Sequence, residues 1–485
     1  MKYQPIQNFI NGNFVNASTD KTLNVISPLD GNHLSTVPMS NAKDLDDAVQ
    51  AAKKAFPSWS KTPIKERVQV FFRYKTLLEK HLKELSELCS EENGKTYGES
   101  VAEIEKCIEL TEFATSLPQL TTGEILEVSR GVECKTEHVA LGVVASIVPF
   151  NFPSMVPNWT LPNAIALGNC MIMKPSEKVP LSCGRIAELL KEAGLPDGVF
   201  NVVHGDVDIV NAICDHPNIE AVSFVGSTKV AKLVYQRATN NLKRCLALGG
   251  AKNHLMVLPD AIPGMTAQNV AASMSGCAGQ RCMAASAMVG VGNIDHIVDK
   301  ICDEARKIIP GENLGAVINK ESQERIERYI SEAEKNGAKI LVDGRNTKVA
   351  GKESGTYVGP TVIDYVTPEM SVATEEIFGP VISIMRTNTV DEALAIENAN
   401  PYGNAASVFT QNGAMARYII DKASAGMIGV NVGVPVPREP FSFGGWNESK
   451  FGVGDITGKS SIEFWTKLKK STTKWNPEAG VNWMS

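Results

Sequence analysis

The sequence predicts an α/β protein organised on a doubly wound parallel sheet, and three observations carry this. Between 142 and 250 five apolar runs alternate with stretches of helical periodicity: GVVASIVPF (142–150), NCMIMK (169–174), VFNVVHG (199–205), AVSFVG (221–226) and RCLALGG (244–250). That is the pattern of parallel strands buried on both faces. A second α/β region runs from 251 to 437, and at 485 residues the chain exceeds what one core can serve.

In chain order, NFINGNFV (8–15) alternates apolar and polar residues about Asn11-Gly12, a hairpin signal. SPLDGN (27–32) is a further turn. From Asn41 the period becomes helical through Leu45, Ala48, Val49, Ala52 and Phe56, and Pro57 is expected to end the run. Helices follow from about Ile64 to Glu92 and from Glu99 to Ser116, broken at Asn93-Gly94. The sheet comes next, and Phe224-Val225-Gly226-Ser227-Thr228 is its strand-to-helix junction. A nucleotide is expected at the carboxyl ends of such strands, although GxGxxG is absent; free N–H groups at the junction and the Ser227 hydroxyl suit a pyrophosphate, or Ser227 is simply a helix cap. The second region opens on a strand at His254–Leu258. It carries a charged helix at 319–335 that reads as a solvated face, and places Glu375 and Glu376 before a strand in EEIFGPVISIM (375–385). Two strand-like stretches with polar faces, 124–140 and 461–475, are edge strands that pair with each other or with another subunit. The division is therefore 1–122 with 142–250, then 251–437, with an oligomerisation flap from 123–141 and 460–485.

Composition excludes several function classes. A net charge of −6 without a basic block argues against nucleic acid and anionic membranes. The ten cysteines include no CxxC pair or Cys/His cluster, so neither a disulfide framework nor a metal site is expected. Reduced thiols point to a cytoplasmic setting. No signal peptide and no apolar run of about 18 residues is expected to be present.

The chemistry centres on GCAGQRCMA (276–284). Cys282 lies in a run of small residues where backbone approaches a substrate closely, and Arg281 beside it favours the thiolate if it folds back toward the sulfur. Cys277, without an adjacent charge, reads as packing. GQRC (279–282), PFNFP (149–153), KPSE (174–177), FVGST (224–228) and EEIFGP (375–380) stand in the order and spacing of the aldehyde dehydrogenase superfamily, which the chain resembles over almost its whole length. Within it, GAKNH (250–254), GQRCMA (279–284), PFSF (440–443) and a late LK…TKW pattern are most similar to the CoA-acylating methylmalonate-semialdehyde dehydrogenases.

The resemblance implies an NAD-binding domain, a catalytic domain and a homo-oligomer, a dimer or a tetramer. It implies that Cys282 attacks the aldehyde carbonyl and that Asn151 donates to the resulting oxyanion. Lys174 and Glu177 match the family's adenine-ribose ligands, Gly226 and Ser227 its pyrophosphate contact, Glu376 its nicotinamide-ribose ligand, and Phe150 and Phe378 line the cofactor site. Glu177 favours NAD over NADP by repelling a 2′-phosphate. Arg281 and Lys106 match two arginines that hold the substrate carboxylate in the subgroup; lysine keeps the charge and loses the bidentate fork. Hydrolytic members carry a glutamate where this chain has Ala247, so water loses a general base worth about 10² to 10⁴ and coenzyme A, a thiol, becomes the expected acyl acceptor. The alternatives are a hydrolytic enzyme with Asp455 as relocated base, and a non-catalytic binding protein on the same fold.

Overall fold

The computed structural model describes residues 1–475. Five strands, Phe200–Val202, Cys170–Lys174, Val143–Ile147, Ile219–Val225 and Arg244–Leu248, lie side by side in that order and run parallel. The earliest in the chain, Val143–Ile147, is central, so the chain winds outward in both directions and the connections diverge beyond its carboxyl end. Val143–Ile147, Cys170–Lys174 and Phe200–Val202 are buried at every position. The hairpin Asn8–Ile10/Asn13–Val15 extends one edge, with Asn11 and Gly12 at φ +51° and +76° as its turn requires. Lys450–Phe451 closes the other edge, returning the late chain to this first sheet.

The second sheet runs Lys339–Val342, Thr361–Asp364, Val381–Thr387, Ala285–Val291, Asn253–Val257, Ala405–Phe409 and Met427–Val430; all neighbours are parallel except the first pair. A third sheet joins Glu124–Ser129, Val132–Ala140 and Thr466–Lys474 antiparallel, so the two sequence-distant stretches pair within one chain. The part of the expected flap beyond 475 lies outside the described residues. No helix among the described residues is long and apolar enough to cross a membrane.

Three local expectations change. Pro57 does not end the first helix, which continues to Lys61. Pro57 faces solvent, while Trp59 beyond it is buried and donates from Nε1 to Ile165 O at 2.9 Å; tertiary anchoring outweighs the lost backbone bond. The expected helix from Ile64 to Glu92 divides into Ile64–Lys80 and Leu82–Asn93 about His81. Ser461–Trp465 is helix rather than strand. Trp465 is wholly buried there, and its carbonyl accepts from Asn169 Nδ2 at 2.9 Å.

Candidate active site

Cys282 follows a strained turn. Cys277, Ala278 and Gly279 have φ of +52°, +53° and +71°, which costs about 1–2 kcal/mol at each of the two non-glycine residues. Gly279 is required, because a Cβ there would stand 2.0 Å from Gly379 O. Side chains from distant elements hold the loop in place. Glu99 Oε1 accepts from Cys277 N at 2.6 Å, Gln280 Oε1 accepts from Ile318 N at 3.0 Å, and Asn253 Nδ2 donates to the carbonyls of Cys282 and Ala284 at 2.7 and 3.0 Å. Asn151 joins the same loop, donating from Nδ2 to Gln280 O at 2.9 Å.

Asn151 is itself anchored from below. The wholly buried Lys95 ammonium donates to Asn151 O at 2.8 Å and to Glu103, and sits 4.2 Å from the centre of the Phe152 ring. Glu103 Oε1 accepts from Ser154 N and Met155 N at 2.8 and 2.9 Å, capping the helix Met155–Ala166. Nothing local in the sequence singles out Lys95. Glu99 and Glu103 were also missed, although with Lys106 their spacing of four and three residues in ESVAEIEK puts them on one helical face, a signal that could have found them.

Cys282 stands where two cavities meet. One, about 510 Å³, is lined by Arg281, Lys106, Glu439, Glu99 and Cys277 with apolar walls from Phe152, Trp159 and Phe443. Arg281 and Lys106 are thus brought to one chamber, and Cys277, expected to be mere packing, lines it too. The other, about 490 Å³, opens at the carboxyl ends of the first sheet. It gathers Phe150, Asn151, Lys174, Glu177, Gly226, Ser227, Glu376 and Phe378. Lys174 Nζ meets Glu177 Oε2 at 3.3 Å, and the rings of Phe150 and Phe378 meet edge to face at 5.9 Å. The Ser227 side chain makes no capping bond to its helix Thr228–Asn240. The charged helix Lys320–Lys335, read as solvated, turns Ser322 and Arg325 into this cavity.

Electrostatics separate the two neighbouring acids. Glu375 is exposed and accepts from Tyr329 OH, whereas Glu376 accepts from Ala251 N at 3.1 Å and burial pushes its carboxyl up to about 7. Near it, Lys252 is buried with no hydrogen-bond partner for its ammonium, and desolvation pushes it down to about 7. The Cys282 thiol is pushed up to about 12, first by burial and then by the Glu376 charge. Arg281 pulls the other way and is outweighed, so it does not by itself produce the thiolate expected from its adjacency. Its guanidinium instead lies over Gly276 and 3.7 Å from Glu99.

Asp455, the candidate replacement base, is held by Lys450 Nζ at 2.6 Å and Ser460 Oγ at 3.2 Å and lines neither cavity. Ala247 is buried in the strand Arg244–Leu248 and packs in the same core cluster as Cys282.

A cysteine turn between two chambers, on this pair of sheets, has known counterparts. The aldehyde dehydrogenase family profile matches residues 14–471. The chain belongs to the aldehyde dehydrogenase family. Among its relatives in that family, the malonate-semialdehyde dehydrogenase 2 of Geobacillus kaustophilus is 43% identical over 480 residues, covering 97% of this chain and 99% of that one. The malonate-semialdehyde dehydrogenase of Lacticaseibacillus casei is 44% identical, covering 97% of each. The crystal structure of methylmalonate-semialdehyde dehydrogenase from Oceanimonas doudoroffii superposes with a TM-score of 0.96 at 43% identity, over 98% of this chain and 99% of that one. A putative methylmalonate-semialdehyde dehydrogenase from Sinorhizobium meliloti, complexed with NAD, gives 0.96 at 40% identity, over 98% and 99%. The expected resemblance to this branch of the aldehyde dehydrogenases is borne out.

Proposed function

We propose that the chain is an NAD-dependent, CoA-acylating dehydrogenase of short carboxylated aldehydes, taking malonate semialdehyde to acetyl-CoA or methylmalonate semialdehyde to propionyl-CoA with loss of CO₂. The single observation that carries the acylating outcome is Ala247. A methyl group stands where hydrolytic relatives place a carboxylate, and Asp455, the candidate relocated base, is engaged by Lys450 and Ser460. The names of the relatives support the substrate class.

The cavity beside Cys282 fits a dinucleotide by the chemistry of its donors and acceptors. Glu177 and Lys174 suit the adenine ribose, Gly226 and Ser227 at the helix N-terminus suit the pyrophosphate, Glu376 suits the nicotinamide ribose, and Phe150 and Phe378 flank the ring. The nicotinamide, when bound, supplies the hydride acceptor and a positive charge beside the thiol. Cys282, its thiol proton given up to solvent, adds as thiolate to the aldehyde carbon, forming a C–S bond while the C=O π pair becomes a tetrahedral alkoxide. Asn151 Nδ2, already at this loop, and the Cys282 N–H donate to that oxygen, and losing one such donor costs about 10² to 10³ in rate. The alkoxide carbon gives up its hydride to that acceptor, leaving an acyl thioester on Cys282; the carboxylate β to the thioester carbonyl then leaves as CO₂, its bonding pair passing into the thioester enolate, which takes a proton from water. Water, without a base at 247, attacks the thioester slowly; a CoA thiolate attacks without that help. Arg281 in the other cavity holds the substrate carboxylate. All ten cysteines are free, which supports a reducing, cytoplasmic setting.

Without CoA, stopped-flow traces should show a burst of about one NADH per site followed by turnover slower by about 10² to 10⁴. CoA should restore the rate with ping-pong kinetics. Rapid multiple turnover to free acid without CoA would reject acylation.

A further inference from the structure

Lys106 is not a free cation. Its Nζ lies 2.6 Å from Glu439 Oε2 and 3.2 Å from Glu109 Oε2, and the Glu439 side chain is only 9% exposed. Both partners of the shorter pair line the chamber that holds Arg281 and Cys282. Arg281 is in the opposite condition. Its nearest carboxylate, Glu99, is 3.7 Å away, and its Nε is buried without an acceptor. A carboxylate entering this chamber therefore finds one undersaturated cation and one already engaged by two acids.

We infer that Glu439 is a specificity-determining residue, a latch that occupies Lys106 and confines recognition of the substrate carboxylate to Arg281. The inference rests on the semialdehyde reading above and refines it, since Lys106 no longer serves as a second carboxylate ligand. In a chamber walled by Phe152, Trp159 and Phe443, charges are weakly screened. Glu439 there both neutralises Lys106 and repels a second carboxylate, and like charges brought together across a site discriminate strongly. The chamber is thus less selective for carboxylated over neutral aldehydes than two free cations would make it.

The test is the ratio of kcat/KM for malonate semialdehyde to that for propanal, measured with NAD and CoA saturating. Glu439→Gln keeps the shape, leaves Lys106 only its longer contact to the more exposed Glu109, and should raise the ratio about tenfold. Lys106→Met leaves Glu439 unpaired and should lower it about tenfold. The double variant Lys106→Met/Glu439→Gln removes both charges and should return it to within about threefold of the unaltered enzyme, and this arm remains informative if a single variant fails to fold. A double variant with the same low ratio as Lys106→Met would overturn the latch and make Lys106 a direct ligand. Arg281→Leu separates this failure from failure of the underlying reading. If it does not lower the ratio, carboxylate recognition itself is wrong; if it does while Glu439→Gln changes nothing, only the latch is wrong.

Discussion

At the scale of single residues, the proposed nucleophile is held in reserve in the cofactor-free protein. With the Cys282 thiol pushed up to about 12 by burial and the Glu376 charge, almost none of it is thiolate at neutral pH. Alkylation by iodoacetamide, followed on the Cys282 peptide in cofactor-free protein, should therefore rise about tenfold per pH unit from pH 7 to 10 with no plateau. An inflection near the ordinary thiol value would contradict the buried environment. Adding NAD at pH 7 should speed the reaction, because a nicotinamide held in the cavity that Cys282 lines would bring a positive charge toward the sulfur. Arg281 shows why adjacency in sequence misleads here: its charge is next along the chain, yet its guanidinium is directed over Gly276 toward Glu99.

At the scale of elements, the helix Tyr97–Thr115 bears on the site through one face. Glu99 holds the Cys282 turn, Glu103 caps the helix Met155–Ala166, and Lys106 meets Glu439. Lys95, just before this helix, is paired with Glu103 in full burial. Breaking such a pair strands a charge, so Lys95→Met should lower stability by about 3–5 kcal/mol, read as a shift in denaturant midpoint. Lys95→Met/Glu103→Gln should recover part of that, because no buried charge remains unpaired; equal losses in both variants would refute a net cost of stranding Glu103. The strands of the first sheet were legible because burial on both faces writes continuous apolar runs. The Cys282 turn and Asn151 were legible because their motifs are local. Lys95, Glu439 and Asn253 were not, since each acts through a partner brought near by folding, Asn253 on Cys282 and Glu439 on Lys106. Pro57 misled for the same reason, its helix being continued by the burial of Trp59 against Ile165 O.

At the scale of the whole molecule, the two large sheets meet around Cys282, while the three-stranded sheet leaves part of its surface uncovered. Its outer strand Glu124–Ser129 is exposed at every position, with Ile125, Leu126 and Val128 at 65%, 66% and 51%. The opposite outer strand, Thr466–Lys474, carries Lys467, Lys469, Lys470 and Lys474, and lysine on an edge discourages further pairing. The apolar strand has no such protection. A second copy of the chain covering it would remove Leu126 and Val128 from water and give a closed symmetric assembly. We expect light scattering to report a dimer or tetramer at micromolar concentration. Leu126→Glu/Val128→Glu should shift it to monomer, because two carboxylates cannot be buried there without partners. A monomer in the unaltered protein, or an undisturbed oligomer in the double variant, would remove this sheet from the interface.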